Sequence, residues 1–153
     1  MASLTRRGFV GATGLVATTG LTGLARAAAG EAGELRPLPL PPPIGRPERV
    51  QRIARAQRLM QSSGIAAVLV ESGPSLDYFT GIQWWRSERL TGVVIPAIGA
   101  PIIVTPFFEK PSIAEQLGID AEIRTWNEDQ EPLRLVADFL AEKRASRGRI
   151  GME

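Results

Sequence analysis

The sequence predicts an α/β domain with a mixed β-sheet flanked by helices. Between residues 47 and 153, segments with helical spacing of apolar residues alternate with short β-branched runs, and glycine or proline marks most boundaries. The resulting order is helix, strand, short helix, a hairpin of two strands, helix, strand, helix and the start of a last strand. A length of 153 residues suits one such domain with a substantial core.

The first strong element is a helix that begins at Pro47 and ends at Gly64, since proline suits a first helical turn and glycine a helix end. Four apolar residues fall on one stripe of this helix: Val50, Ile53, Ala54 and Met60. Three arginines lie away from the stripe and are predicted to be solvated: Arg52, Arg55 and Arg58. Leu59 also lies off the stripe, which predicts a second contact. A buried strand follows over residues 66–70.

The middle of the domain is predicted to contain a helical turn and a hairpin. Residues 75–79 form the helical turn, and Thr80 and Gly81 close it. Two apolar strands then follow over residues 92–96 and 101–104. Gly99 lies between the strands and supplies the positive φ angle that such a connection needs.

The last part of the domain contains two more helices and two more strands. Residues 106–117 are predicted to run from a loop into a helix, and residues 121–126 alternate as in a half-exposed strand. Residues 127–131 are acidic and precede a helix over 132–147, where the helix dipole favours acids, so we interpret them as structural rather than as a metal site. A last strand begins at residue 149.

The composition excludes several kinds of site. The chain has no cysteine, and therefore no disulfide, thiol nucleophile or thiolate metal site. It has no histidine, which removes the commonest general base near neutral pH and the commonest metal ligand. Three arginines within residues 1–29 account for the positive charge, because the other 15 basic and 16 acidic residues give a net charge of −1. The sequence gives no electrostatic reason to expect a nucleic-acid partner.

Residues 1–29 have the features of an export signal. Arg6 and Arg7 form a charged start, a mildly apolar run follows, and small residues place cleavage near Ala27 or Ala29. The run Thr-Arg-Arg-Gly-Phe-Val resembles the twin-arginine export motif, which implies a periplasmic destination and only transient contact with the membrane. An uncleaved membrane anchor is the alternative, although the apolar run is short and weak for a spanning helix.

Residues 30–46 are rich in proline and are predicted to form a stiff tether, because proline favours the extended polyproline II conformation. This tether joins the signal to a folded domain over residues 47–153.

The stretch from Asp77 to Gly92 holds the densest run of aromatic and charged residues in the chain. An arginine can bind a carboxylate through two hydrogen bonds, and an indole face can wall an apolar ring or stack on a guanidinium. The stretch therefore suits a substrate rim, a partner surface or an edge of the core, and the residues alone leave these three alternatives open.

Several short motifs follow one another in the order of a known family. A helix ending in Ser-Gly-Ile-Ala-Ala leads to an apolar strand and then to the turn Asp-Tyr-Phe-Thr-Gly at residues 77–81. Residues 87–96 enter a hairpin that returns over 99–104, and Ile-Gly-Met-Glu closes the sequence. Over residues 46–153 this pattern resembles the amino-terminal domain of the aminopeptidase P, prolidase and creatinase family of "pita-bread" metallopeptidases. The resemblance implies the ribonuclease H-like α/β fold of that domain.

The resemblance also implies that the catalytic chemistry belongs to a following domain, which we expect to be missing from this chain. In the family, that domain holds two divalent metals with two Asp, one His and two Glu, and it activates a water for amide hydrolysis. No carboxylate of this sequence matches those ligands. We therefore predict no cofactor, metal ligand or catalytic residue within the chain, and we expect the domain to be truncated at its carboxyl-terminal edge.

Family members use the amino-terminal domain for dimer contacts, and a loop of this domain reaches toward an active site. By this resemblance, Arg89 is the best match for a residue that holds a substrate carboxylate, with Trp84, Trp85 and Arg86 alongside. A structural turn aims that loop and is formed by Tyr78, Thr80 and Gly81. The alternative is that Glu88 and Arg89 pair with each other or with the sheet, while the tryptophans fill a dimer or domain interface.

Two functions follow from these observations. The first is the non-catalytic part of an exported Xaa-Pro metallopeptidase, providing dimerisation and a substrate rim. Its parent would act as a homodimer on a proline-containing peptide or a small amide. The second is a free-standing periplasmic α/β binding module without catalysis. A carboxylate-only hydrolase is a third, weaker alternative, supported only by scattered acids.

Overall fold

The computed structural model describes residues 38–153, and Pro42–Glu153 form one compact unit. The order of elements confirms the prediction from the sequence. The four helices are α1 (Arg46–Ser63), α2 (Pro74–Thr80), α3 (Lys110–Gln116) and α4 (Pro132–Glu142). The five strands are β1 (Ile65–Glu71), β2 (Gly92–Pro96), β3 (Ile102–Pro106), β4 (Glu122–Trp126) and β5 (Arg149–Met152). A single turn of 3₁₀-helix, Phe107–Glu109, joins β3 to α3.

The five strands form one mixed sheet in the order β4-β3-β2-β1-β5. β2 is antiparallel to β1 and to β3, whereas β3 pairs with β4 and β1 pairs with β5 in parallel. β1 and β2 come unusually close at Gly92, where a Cβ atom would lie 2.5 Å from the carbonyl oxygen of Val70. Glycine is therefore the residue that allows this strand to start beside β1. The mixed sheet with flanking helices confirms the predicted fold class.

Helices cover both faces of the sheet and create two hydrophobic clusters. α1, α2 and α3 lie on one face, where Leu76 and Ile113 pack on strand residues such as Val93 and Ile103. α4 covers the other face, where Phe139 is 1% exposed. Strand residues of the second cluster are Ala67, Leu69, Val94, Ile102, Val104 and Trp126. Because successive side chains of a strand point to opposite faces, one sheet supplies both cores.

The carboxyl ends of four strands meet at one edge of the sheet. The register places Glu71 of β1 beside Gly92 of β2, and Pro106 of β3 beside Trp126 of β4. The antiparallel β2 begins at this edge, so the loop that precedes it emerges there too. Open α/β sheets commonly bind ligands beyond the carboxyl ends of their strands.

α1 differs in detail from the prediction. Val50 and Leu59 are 49% and 59% exposed, so neither makes the buried contact expected from the sequence. The short α2 and the β2–β3 connection lie over other parts of α1, which leaves these two side chains uncovered. Two members of the predicted stripe, Ile53 and Met60, are buried as expected.

α4 ends five residues earlier than predicted, at Glu142 rather than near Arg147. The chain turns through Arg144, which has a φ angle of 55°. Gly148 then lies so close to Ala66 that a Cβ atom would be 2.3 Å from the alanine Cβ. The helix has to stop early because the chain must turn back to pair β5 with β1. Leu133 and Ala137 of α4 are exposed, whereas Val136, Phe139 and Leu140 are buried.

The predicted signal over residues 1–29, including Arg6 and Arg7, and residues 30–37 of the proline-rich tether lie outside the described residues. Residues 38–45 of the tether contain no helix or strand, and its last residue, Arg46, begins α1. Among residues 38–153, no helix is both long and apolar enough to span a membrane.

Candidate functional site

The turn at residues 78–81 is held by a buried hydroxyl. Thr80 is fully buried, and its Oγ1 donates a hydrogen bond to the carbonyl of Leu76 at 2.6 Å and accepts one from the amide of Ile82 at 3.1 Å. Gly81 follows with a φ angle of 88°, which favours glycine. Tyr78 is half exposed and packs edge-on against Phe79, with ring centroids 4.9 Å apart. The turn therefore sets the direction in which the loop leaves α2.

Two arginines of α1 hold the end of α2. Arg49 bonds the carbonyl of Asp77 and pairs with its carboxylate at 3.2 Å. Arg52 donates to the carbonyl of Tyr78 at 2.9 Å, and its guanidinium lies 4.1 Å from the Tyr78 ring centroid. Cations suit the carbonyl end of a helix. Arg52 is therefore a structural contact, and the prediction that it belongs to a solvated face was wrong.

Trp84, Trp85 and Arg86 lie together around an open cavity at the carboxyl edge of the sheet. Its volume is about 630 Å³, which lies in the range of small-molecule sites. Other elements complete the lining: Ser72, Gly73, Pro74, Asp77, Gln83 and Glu153. The cavity combines two indoles, one guanidinium and two carboxylates. It is the candidate functional site.

The two tryptophans differ in how they are held. Trp84 is half buried and packs against the core under α1 to α3, whereas Trp85 is 91% exposed. Arg86 is anchored by its Nε atom, which donates to the carbonyl of Ser72 at 3.3 Å. In the described part of the chain, neither terminal nitrogen of Arg86 has a hydrogen-bond partner. One indole and the guanidinium stem are thus fixed, while the other indole lies in solvent.

Arg89 does not line this cavity, although it lines a smaller neighbouring pocket together with Arg86. It pairs with Glu88 at 2.6 Å and with Glu128 at 2.9 Å, and its guanidinium lies 5.8 Å from the Phe108 ring centroid. The hydrogen bond to Glu128 and the charge of Glu88 raise the pKa of Arg89 above its ordinary value. The geometry therefore places Arg89 in a link between the base of the loop and the turn after β4.

A buried polar network beside Arg89 was missed from the sequence. Thr91 and Thr105 lie 3.0 Å apart through their hydroxyls, and both contact Oε2 of Glu109, at 2.7 and 3.2 Å. The three residues come from the loop before β2, from β3 and from the turn after it. No sequence motif marks such a set, although a Thr at the end of each neighbouring strand is a weak signal.

Within residues 38–153, no three acidic side chains are placed to hold a metal ion together. The carboxylates of the cavity already have partners: Asp77 pairs with Arg49, and Glu153 accepts a hydrogen bond from Ser75 at 2.8 Å. The acidic turn at 127–131 contributes Glu128 to the Arg89 pair instead. The described residues suit binding by charge and aromatic contact.

Comparison with known proteins identifies the family of this chain. Residues 52–153 match the family described as the Creatinase/Prolidase N-terminal domain, which is two thirds of the chain. The chain belongs to this family. The family match thus covers α1 from Arg52 onward, the whole sheet and every residue that lines the cavity.

Relatives of this creatinase/prolidase N-terminal domain include peptidases. The probable dipeptidase PepE of Mycobacterium tuberculosis is 34% identical over 94 residues, which are 59% of this chain and 24% of that protein. An uncharacterized peptidase of Schizosaccharomyces pombe is 32% identical over 103 residues, covering 58% of this chain and 23% of that protein. The chain therefore spans about a quarter of the length of the curated relatives it matches.

Solved structures share the fold of this creatinase/prolidase N-terminal domain. Dipeptidase PepE from Mycobacterium ulcerans has a TM-score of 0.59 at 32% identity, covering 64% of this chain and 27% of that one. The N-terminal domain of an Xaa-Pro dipeptidase from Lactobacillus brevis has a TM-score of 0.60 at 18% identity, covering 67% of this chain and 75% of that one. The second likeness shows the fold alone.

Proposed function

We propose that this chain is the non-catalytic amino-terminal part of an exported Xaa-Pro metallopeptidase-like protein, providing dimerisation and a substrate rim. The parent protein would hydrolyse peptide or amide bonds with a dinuclear metal centre in a following domain. Membership of the creatinase/prolidase N-terminal family supports this proposal, as do relatives named as dipeptidases of which the chain matches about a quarter. The chain also has no histidine to contribute to a metal centre.

One observation carries the substrate-rim role. Trp84, Trp85 and Arg86 converge on one cavity at the carboxyl edge of the sheet. In this role the Arg86 guanidinium binds a substrate carboxylate through its terminal nitrogens, and the indoles pack against the proline ring. Arg89 would act indirectly, because its guanidinium is already engaged by Glu88 and Glu128.

The proposed partners and location follow from the same family. We expect a homodimer that forms through this domain, with a proline-containing peptide or a small amide as the substrate of the parent. The divalent metal pair belongs to the following domain, so this chain contributes no metal ligand. The signal with Arg6 and Arg7 would deliver the folded protein to the periplasm, with cleavage near Ala27 or Ala29.

The coding sequence after Glu153 gives the first test. We expect it to continue in frame and to supply an Asp, Asp, His, Glu, Glu set of metal ligands. A natural stop codon directly after Glu153 would contradict the proposal.

Kinetics of the longer protein give the second test. With a divalent metal bound, Trp84→Ala and Arg86→Gln should each raise KM for an Xaa-Pro dipeptide by about tenfold, because each loses one contact with the substrate. Arg134→Gln is the matched control, since Arg134 is exposed on α4 outside the cavity, and it should leave KM unchanged. Unchanged KM in both cavity variants would remove the substrate-rim role.

Export is tested separately. Replacing Arg6 and Arg7 together by lysine should retain the protein in the cytoplasm, because the twin-arginine route reads the arginine pair. The unaltered protein should appear in the periplasm, and its intact mass should be that of a chain that begins after Ala27 or Ala29. Periplasmic delivery of the double-lysine variant would contradict this route.

A free-standing binding module is the second candidate function. The observation that favours it is the 91% exposure of Trp85 beside the cavity. Such a module would bind a small ligand as a monodisperse protein without metal. The downstream coding sequence separates the two candidates, since only the peptidase needs a following domain.

A further inference from the structure

We propose that the end of the domain opposite the cavity docks on an anionic phospholipid surface. This basic end consists of exposed Ile98 in the β2–β3 connection and four exposed cations that follow α4: Lys143, Arg144, Arg147 and Arg149. The isoleucine enters the headgroup region while the cations bind lipid phosphates. This inference goes beyond the proposed peptidase function, which concerns the other edge of the sheet.

Strand pairing brings these residues to one edge of the sheet. Ile65 at the start of β1 pairs with Arg149 at the start of β5, and β2 ends at this edge because it is antiparallel to β1. The Arg149 guanidinium donates to the carbonyl of Ser63 at the end of α1. The Lys143 Nζ atom lies 3.8 Å from the position that a Cβ atom would take on Gly99. The loop after α4 and the β2–β3 connection therefore form one continuous surface.

The β2–β3 connection presents an apolar side chain on a backbone whose carbonyls are already bonded. Ile98 is 76% exposed. The side-chain amides of Gln57 and Gln61 in α1 donate to three of the carbonyls within residues 96–99, at 2.7 to 2.9 Å. Polar groups without a partner are costly to remove from water. This bonding therefore lowers the cost of moving the connection into a lipid headgroup region.

The cations of the basic end have no acidic partner. No acid occurs in the three segments that build this end of the sheet: residues 55–70, 93–108 and 143–152. None of the four cations has an ion pair among residues 38–153. Glu142, the nearest acid along the chain, accepts hydrogen bonds from Arg124 at 2.8 and 2.7 Å. Beside an anionic lipid surface, each such Lys or Arg strengthens binding about fivefold.

The combination of an isoleucine with cations favours a lipid surface over a nucleic acid. Contacts with nucleic-acid phosphates need cations alone, whereas interfacial lipid binding combines cations with apolar side chains that enter the headgroup region. β5 also points away from the basic end, so any residues after Glu153 continue from the opposite edge of the sheet.

A fluorescent probe at residue 98 gives a readout confined to this surface. The chain has no cysteine, so Ile98→Cys provides a single attachment site for nitrobenzoxadiazole. In the 153-residue chain, vesicles of equal parts phosphatidylglycerol and phosphatidylcholine should shift the probe emission to the blue, whereas vesicles of phosphatidylcholine alone should not. The same probe on Glu115→Cys is the positional control, because Glu115 is exposed on α3. It should show no shift even where the predicted signal over residues 1–29 binds lipid.

Two charge variants of the labelled chain test the electrostatic contribution. Lys143→Gln combined with Arg147→Gln should weaken vesicle binding about 25-fold, because two cations are lost. Lys110→Gln combined with Arg134→Gln is the matched control, since it removes two exposed cations from the first turns of α3 and α4. This control should bind like the unaltered chain. High salt should weaken binding of the unaltered chain.

Several results would overturn the inference. They are the absence of a blue shift on anionic vesicles, an equal shift on neutral vesicles, an equal shift at residue 115, and equal binding by the two charge variants. Binding of double-stranded DNA without any shift on vesicles would assign the basic end to a nucleic acid instead. None of these results bears on hydrolysis by the longer protein, which is tested at the cavity.

Discussion

At the scale of single residues, the loop before β2 uses its two arginines for different tasks. Arg86 extends its terminal nitrogens beside a cavity, whereas Arg89 is engaged by Glu88 and Glu128. The sequence predicted the neighbourhood of Trp84 and Arg86, because residues so close in the chain stay close in space. The family resemblance ranked Arg89 before Arg86, because no local pattern reveals that Arg89 pairs with Glu128, which lies 39 positions away.

The Arg89 link is expected to control the mobility of the loop. Arg89→Glu and Glu128→Arg should each speed amide hydrogen exchange across residues 82–91. The double variant, in which the two charges are swapped, should regain much of the protection. The effect on the free energy of unfolding should be small, because the pair is solvent-exposed. High salt should weaken the difference between the variants and the unaltered chain.

Restored protection in the charge-swapped double variant is the informative result. If both single variants exchange like the unaltered chain, the ion pair does not hold the loop. The hydrogen bond from Trp126 to Leu90 would then be the main tie at this edge.

At the scale of elements, the sequence predicted the type and order of every helix and strand within residues 46–153. Apolar periodicity and glycine positions fix these features locally, as at Gly64 and Gly99, which both have positive φ angles. Contacts between elements were less predictable. Arg52 has the spacing of a solvated residue, yet the end of α2 gives it a carbonyl and an aromatic ring to bind.

β4 and α4 are joined by an ion-pair cluster that should make stability depend on pH. Arg124 of β4 bonds both carboxylate oxygens of Glu142 at 2.8 and 2.7 Å. This hydrogen bonding holds the pKa of Glu142 below its ordinary value. The contribution of Glu142 is therefore fully present above the ordinary glutamate pKa of about 4.3 and is lost as the pH falls through the lower folded-state pKa.

Urea unfolding at pH 7 and pH 3.5 measures this dependence. The fall in the free energy of unfolding on acidification should be smaller in Glu142→Gln than in the unaltered chain, because glutamine does not titrate. Glu115→Gln is the matched control, since Glu115 is exposed on α3 and has no ion pair within residues 38–153. An equal fall in all three proteins would show that the Arg124 cluster adds nothing to the pH dependence.

At the scale of the whole molecule, one sheet is shared by two hydrophobic clusters. Such sharing predicts a single cooperative unfolding transition, because loosening the strands exposes both faces together. The cavity also depends on contacts between distant parts of the chain. Asp77 and Glu153 come from distant parts of the chain, and the parallel pairing of β1 with β5 brings Glu153 to Ser75 at the start of α2. No local pattern in the sequence predicts that Glu153 lies beside α2.

Alanine substitutions of buried side chains on the two faces of the sheet test whether the two hydrophobic clusters unfold together. Leu76→Ala should lower the free energy of unfolding by about 2–5 kcal/mol and Phe139→Ala by about 3–5 kcal/mol, because both side chains are fully buried. In each variant, circular dichroism and tryptophan fluorescence should report the same transition. Two separate transitions in either variant would mean that the faces unfold independently.

The parallel pairing of β1 with β5 has a consequence for biosynthesis. Ile65 pairs with Arg149, so the two strands are made 84 residues apart, whereas β1, β2 and β3 follow one another along the chain. While the ribosome is still producing α4, β1 is an open edge whose free amides and carbonyls can pair with another chain. The long-range closure is also slow compared with local pairing. A nascent chain of this protein is therefore most prone to aggregation in the interval before residue 152 has emerged.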